Sequence, residues 1–214
     1  MATTDRRARD KETLRQKILD AARALFVSHG YDGVTLRKIA EAIEYAPGTI
    51  YSHFKDKDEL MRALCVADWN AFNASLPRIE TGSDPVIAIR LLGAAYIEFG
   101  LAHPHQYQFL FMSRKPELLY AKLDADTMAK KGDPARDGYA LVRHTVQTAI
   151  DRKLLREELR DADLVAQTLW AGVHGITSLH IAMSNDTWIA WAPVLARAGQ
   201  MLDALMHFLA HSRP

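Results

Sequence analysis

Residues 35–54 read Thr35-Leu-Arg-Lys-Ile-Ala-Glu-Ala-Ile-Glu-Tyr-Ala-Pro-Gly-Thr-Ile-Tyr-Ser-His-Phe54. Two short helices joined by a tight turn fit this stretch. Thr35 stands where a side-chain oxygen caps a helix N-terminus, with Val34 and Ile39 placed around it as a hydrophobic staple. Pro47 suits the first position of the following helix, because its φ is fixed and its missing N–H would have no intrahelical partner. Glu44, Tyr45 and Ala46 link the two. Ala40 is small enough to let the helices cross closely, as a helix-turn-helix requires. After the turn, Ile50 and Phe54 are four apart and point to a core, leaving Gly48, Thr49, Tyr51, Ser52 and His53 outside.

That outer face has the chemistry of a major-groove reader. Gly48 permits close approach of sugar-phosphate to the helix start, where the N–H groups and the helix dipole favour a phosphate oxygen. Thr49 and Tyr51 bring hydroxyls, and a Thr methyl or an aromatic edge suits a thymine methyl. His53 is a donor to phosphate or to a base edge. Thr35 and Lys57 stand at the starts of the flanking helices, placed to hold backbone on either side. Arg37 and Lys38 add charge to the helix that Thr35 begins. The plainer reading, an αα corner inside a core, leaves this face without a purpose.

Upstream, Leu14, Ile18, Ala21, Ala22, Leu25, Phe26 and His29 share a stripe that ends at Gly30, predicting a first helix. The preceding Arg6-Arg-Ala-Arg reads as a solvated tail, with entry into a minor groove as the alternative. Downstream, Asp56 and Glu59 have capping-box spacing for a fourth helix running through Leu60, Leu64 and Ala67 towards Leu76. The stretch from Pro77 to Pro85 is turn-rich. Ile89, Leu92, Tyr96, Phe99 and His103 form another stripe, stopped by Pro104. Shorter helices are expected over 105–113 and 116–130, and longer ones over 136–152, 161–184 and 188–211. No period-2 alternation appears, so the fold class is all-α.

These residues resemble the DNA-binding domain of the tetracycline repressor (TetR) family over residues 12–62. The resemblance is carried by Ile18-Leu-Asp-Ala-Ala-Arg-Ala-Leu-Phe, His29-Gly-Tyr-Asp-Gly-Val-Thr-Leu-Arg-Lys-Ile-Ala, Ala46-Pro-Gly-Thr-Ile-Tyr-Ser-His-Phe and Lys55-Asp-Lys-Asp-Glu-Leu. Further on, Trp170-Ala-Gly-Val-His-Gly is similar to a short Trp…His-Gly signature of one C-terminal branch. Two departures stand in the turn: Glu44 where the family often has Gly, and Ala46 where it often has a Ser or Thr cap. The resemblance implies a helix-turn-helix head over 1–62 and a helical ligand-binding, dimerising body over 63–214, paired with a second copy through the last two helices. It maps Thr35, Gly48, Thr49, Tyr51, His53 and Lys57 onto DNA-contact positions. It implies a repressor released from a palindromic operator by a small molecule. An activator, or an all-α small-molecule binder with no DNA-regulated output, is the rival reading.

In the body, Tyr96, Phe99, Tyr107, Phe111, His144, Trp170, His174 and Thr177 mix aromatic and polar groups on helices expected to be neighbours, the lining of a pocket for an amphipathic or aromatic effector. Core packing is the plainer account of each one singly. No nucleophile–base pair, phosphate loop or metal-ligand spacing stands out, so neither an enzyme nor a bound cofactor is expected.

The chain has 214 residues, 49% hydrophobic and 25% charged, enough for a sizeable core. Its single cysteine, Cys65, forms no internal disulfide and suits a reducing compartment. The charged N-terminus lacks the apolar core of a secretory signal. The uncharged stretch between Asp163 and Asp186 has the length of a membrane span, but its His, Gln, Thr, Ser and Asn residues suit a buried helix better. A cytoplasmic protein without a membrane partner is expected. The net charge of +1 conceals an uneven distribution. Residues 1–57 carry eleven Lys and Arg against eight Asp and Glu, so a modestly basic head precedes a slightly acidic remainder. That balance excludes a DNA-coating protein and allows a site reader with few phosphate contacts.

Overall fold

The computed structural model describes residues 2–116 and 123–209, and no strand occurs among them. The chain divides into two compact units, Met1–Asn70 with His105–Asp124 and Ala71–Pro104 with Ala125–Pro214. The family resemblance implies a head over 1–62, and the turn-rich stretch from Pro77 to Pro85 is the boundary that the residues themselves suggest. The units instead divide within the fourth helix, and a later segment rejoins the first unit.

In the first unit, α1 (Ala2–His29) ends where Gly30 takes φ +68°. It starts well before the apolar stripe, so Arg6 to Arg9 are helical and not an irregular tail. That extension contains no Gly or Pro, carries an Arg6–Asp10 pair at i,i+4, and is exposed throughout its described side chains. Next come α2 (Leu36–Ala42), α3 (Pro47–Tyr51) and α4 (Lys57–Ser75). Ile18, Leu19, Ala22, Val34, Ile39, Ala40, Ile50, Leu60 and Leu64 are fully enclosed, so the apolar stripes meet in one core. Burial of this kind contributes roughly 1.5–3 kcal/mol for each large apolar side chain.

A further piece of this unit begins as α6 (Pro104–Tyr107), after α5 (Pro85–Ala102) of the other unit, and widens into a π-turn over Gln108–Met112. It packs on α1, with the Phe26 and Phe109 rings 6.4 Å apart. Lys115 Nζ donates to the Phe109 and Leu110 carbonyls at 2.6 and 2.8 Å, engaging acceptors near the end of that turn.

In the second unit, α5 packs with α8 (Gly138–Asp151), α9 (Ala162–Met183) and α10 (Val194–Leu209). Asp84, Asp137 and Asp161 cap α5, α8 and α9, each accepting from two backbone N–H groups. Ile89, Val146, Ala149, Val165, Ala166, Leu169 and Leu209 form a shared core. Close approach explains Gly93, where a Cβ would lie 2.8 Å from Leu202 Cδ2. The span 116–130 is helical, among its described residues, only in the short α7 (Ala125–Met128). The last helix starts at Val194 and not at 188, and Pro193 immediately precedes it. Among the described helices α5, rather than α9, is long and apolar enough to cross a membrane, and Leu92, Tyr96 and Phe99 on it are buried inside the unit.

Candidate nucleic-acid interface

The helix-turn-helix is built by local chemistry. Thr35 Oγ1 accepts the Lys38 N–H at 3.2 Å and caps α2. The Tyr45 N–H donates to the Ala40 carbonyl at 2.9 Å, closing the turn. Glu44 takes φ +61°, the left-handed region that glycine enters at least cost, which accounts for the family's frequent Gly there. Ala46 provides no side-chain cap, and Pro47 alone pre-forms the start of α3. Lys17 of α1 braces the turn: Nζ donates to the Ile43 carbonyl at 3.3 Å and lies 5.1 Å from the Tyr45 ring centre. Sequence spacing gave no sign of that brace, because the partners are 26 residues apart.

On α3 the two predicted faces are present. Ile50 and Phe54 are buried, while Tyr51 is 56% exposed and Ser52 lies beside it at the surface. A Cβ on Gly48 would meet nothing within 4 Å, so nothing inside the fold requires glycine there. Thr49 is half-buried, and its carbonyl accepts the Ser52 hydroxyl at 2.7 Å. Arg37 is exposed on α2, and Lys38 Nζ donates back to the Gly33 carbonyl at 2.8 Å.

His53 is half-buried. Burial, followed by the positive charges of Lys11 and Arg15, holds its imidazole below the ordinary histidine range. The ring is therefore neutral near pH 7 in the protein alone, presenting one N–H. The two α1 cations were not part of the sequence reading of this site; their i,i+4 spacing on α1 was the available signal.

Lys57 differs from its expected role. Its ammonium donates to the Tyr31 and Val34 carbonyls at 3.0 and 3.1 Å and sits 3.9 Å from the Tyr31 ring centre. Two of its three N–H groups thus hold the α1–α2 connection, leaving at most one for a phosphate. The Tyr31 hydroxyl donates to Asp58, and burial together with that carboxylate raises its pKa.

The residues expected to line an effector pocket are drawn from both units. Tyr96 and Phe99 of α5 are buried, with the Phe72 ring edge-on to both at 5.8 and 5.2 Å. The Tyr96 hydroxyl meets His174 Nδ1 at 3.0 Å, and burial lowers the His174 pKa. Thr177 is enclosed, but its hydroxyl donates to the Val173 carbonyl of its own helix. His144 is exposed, since α8 turns Thr145, Val146 and Ala149 inward. Trp170 is 42% exposed and lies near the Tyr139 ring on the surface. Tyr107 and Phe111 belong to the first unit, where Trp69 stands edge-on to Phe111 at 5.4 Å. Tyr96 and His174 are in direct contact, with Phe99 on the same helix as Tyr96 and Thr177 on the same helix as His174. Cys65 is buried and its thiol is pushed up to about 12, so it is a small apolar core residue and no redox sensor.

Comparison with known proteins returns two family models. Residues 18–64 match "Bacterial regulatory proteins, tetR family", and residues 89–205 match "Tetracyclin repressor-like, C-terminal domain". The chain is 44% identical over 96 residues to the HTH-type transcriptional repressor AcnR of Corynebacterium diphtheriae, covering 45% of this chain and 44% of that protein. It is 34% identical over 83 residues to the HTH-type transcriptional regulator TcmR of Streptomyces glaucescens, covering 39% and 37% respectively. The matches thus span less than half the length of these curated relatives. Among solved structures, AibR in complex with isovaleryl coenzyme A and operator DNA superposes with a TM-score of 0.69 at 17% identity, covering 90% of this chain and 97% of that one. A tetR-family regulatory protein from Rhodococcus RHA1 gives 0.67 at 16% identity, covering 93% and 98%.

Proposed function

The chain belongs to the TetR family of bacterial regulatory proteins, and from that premise we propose that it is a dimeric, effector-responsive repressor of transcription. The observation that carries this reading is the outer face of α3, where Gly48 has open space at its missing Cβ and Thr49 and the exposed Tyr51 follow. A backbone that approaches closely at Gly48 brings both hydroxyl-bearing side chains to base edges. Thr35 and Arg37 flank that face from α2, with His53 and the remaining N–H of Lys57 on the other side. In a two-fold dimer the two α3 helices enter successive major grooves, about 34–36 Å apart or moderately more, over a near-palindromic site.

A dimer surface is available on the last two helices. Leu164, Thr168, Ala171, Gly175, Leu179 and Ala182 recur at spacings of three and four along α9. Leu164 is 63% exposed, and a Cβ on Gly175 would meet nothing within this chain. Leu195 of α10 adds another exposed apolar side chain. A second copy covering these residues removes apolar area from water.

The pair of buried Tyr96 and half-buried His174 is the polar anchor for a small-molecule effector, with Phe99 and Thr177 on the same two helices. An effector that binds the body better in a state with altered head spacing lowers DNA affinity by its differential affinity for the two states, typically ~1–3 kcal/mol. The protein then works on DNA in the cytoplasm. Fluorescence anisotropy with DNA from upstream of its own gene tests the reading: saturable binding that Tyr51→Ala weakens supports it. A wild-type protein that binds that DNA no better than random sequence contradicts it.

A further inference from the structure

A groove in the first unit has the chemistry of a ligand site. With a volume of about 610 Å³, it runs along one face of α4, bounded by Arg15 of α1 and by Leu123. Its floor is Ala63, Val66 and Ala67, small apolar and half-buried residues at helical spacing along α4. Three cations, Arg15, Lys55 and Arg62, and three acids, Asp56, Glu59 and Asp124, also line it.

The lining is balanced in formal charge but not in availability. Asp56 Oδ1 accepts the Glu59 N–H at 2.7 Å, and Glu59 Oε2 accepts the Lys55 N–H at 2.7 Å. Both carboxylates are therefore engaged in capping α4. Asp124 is likewise partnered. The cations are not so engaged: among the described residues neither the Arg62 guanidinium nor the Lys55 ammonium has a hydrogen-bond or ion-pair partner, and Arg15 lies only over the Phe54 ring, 5.3 Å from its centre. Arg15 and Arg62 are also half-buried, in a place where a guanidinium gains most from a bidentate oxyanion.

We propose that this groove binds a small amphipathic organic anion, its carboxylate between Arg15 and Arg62 and its short apolar tail along Ala63, Val66 and Ala67.

Decanoate is a suitable probe, read by the ¹³C methyl resonances of Ala63 and Ala67 in the full chain. Saturable shifts are expected, weakened at least tenfold in Arg15→Gln/Arg62→Gln at an unchanged melting temperature. Decanol, which has the tail without the anion, and inorganic phosphate, which has the anion without the tail, are each expected to bind at least tenfold more weakly than decanoate. The proposal is overturned if decanoate leaves both methyls unmoved, if the double variant binds it as well as the wild type, or if either control matches it. These resonances report only the α4 groove, so failure here is distinct from failure to bind operator DNA.

Discussion

Arg23 of α1 and Asp68 of α4 form a two-pronged ion pair, Nε to Oδ2 at 2.8 Å and a terminal nitrogen to Oδ1 at 2.7 Å, with the Asp68 side chain almost wholly enclosed. Gln106 of α6 donates to the same Oδ1 at 3.1 Å, and Asp20 takes the other guanidinium nitrogen at 2.7 Å. Burial alone lowers the Arg23 pKa, but the bonds to Asp68 and Asp20 outweigh it and raise the value. One carboxylate thereby fixes three segments of the first unit, including the helix that leads out of the helix-turn-helix.

Removing one partner leaves a buried charge unanswered. Asp68→Asn or Arg23→Met is expected to destabilise the protein by about 3–5 kcal/mol, while an apolar pair of similar volume costs much less. Urea denaturation of the two single variants and of Arg23→Met/Asp68→Leu checks this. A double variant as unstable as the sum of the singles contradicts it.

The turn holds two correctable weaknesses. Glu44→Gly relieves a left-handed residue, and Ala46→Ser supplies the missing cap on α3. Each is expected to stabilise the protein by roughly 0.5–1 kcal/mol. Thermal melts of the two variants are the measurement, and a lower melting temperature for Glu44→Gly speaks against the strain assigned to that position.

DNA affinity should depend on pH through His53. In the protein alone burial, and after it Lys11 and Arg15, disfavour the imidazolium; beside a phosphate the imidazolium is favoured, so binding takes up a proton. Affinity therefore rises as pH falls through the ordinary histidine range near ~6.5. In His53→Gln that dependence is expected to flatten, and an unchanged slope assigns the proton to another group.

The dimer surface is tested by charge. Ala171→Glu, at an exposed position central to the α9 apolar face, is expected to shift the protein towards monomer in sedimentation velocity. A dimer of wild-type strength moves the interface elsewhere.

What the sequence revealed was local chemistry. Thr35, Pro47 and the Asp56/Glu59 box each act within four residues, so their caps and starts were readable before any fold was known. What it concealed was the partner across space. Helical spacing says which residues share a face but not what that face meets: the exposure of His144 and Trp170 is not readable from it. Tyr107 and Phe111 lie on a segment that returns to the first unit after α5, which spacing along the chain does not reveal. Lys57 was legible as a cation near the recognition helix, but its engagement by the Tyr31 and Val34 carbonyls was not. Arg23 has its partner Asp68 45 residues away, a pairing that no local spacing reveals.

The most direct test of the account compares wild type and Tyr51→Ala by fluorescence anisotropy on the upstream DNA, in fixed salt and against random-sequence DNA. The exposed Tyr51 supports nothing in the core, so the variant is expected to keep its melting temperature while losing specific affinity by ~1–3 kcal/mol, or roughly 5- to 150-fold. Specific affinity undiminished in the variant would contradict the assignment of α3 as the reading helix.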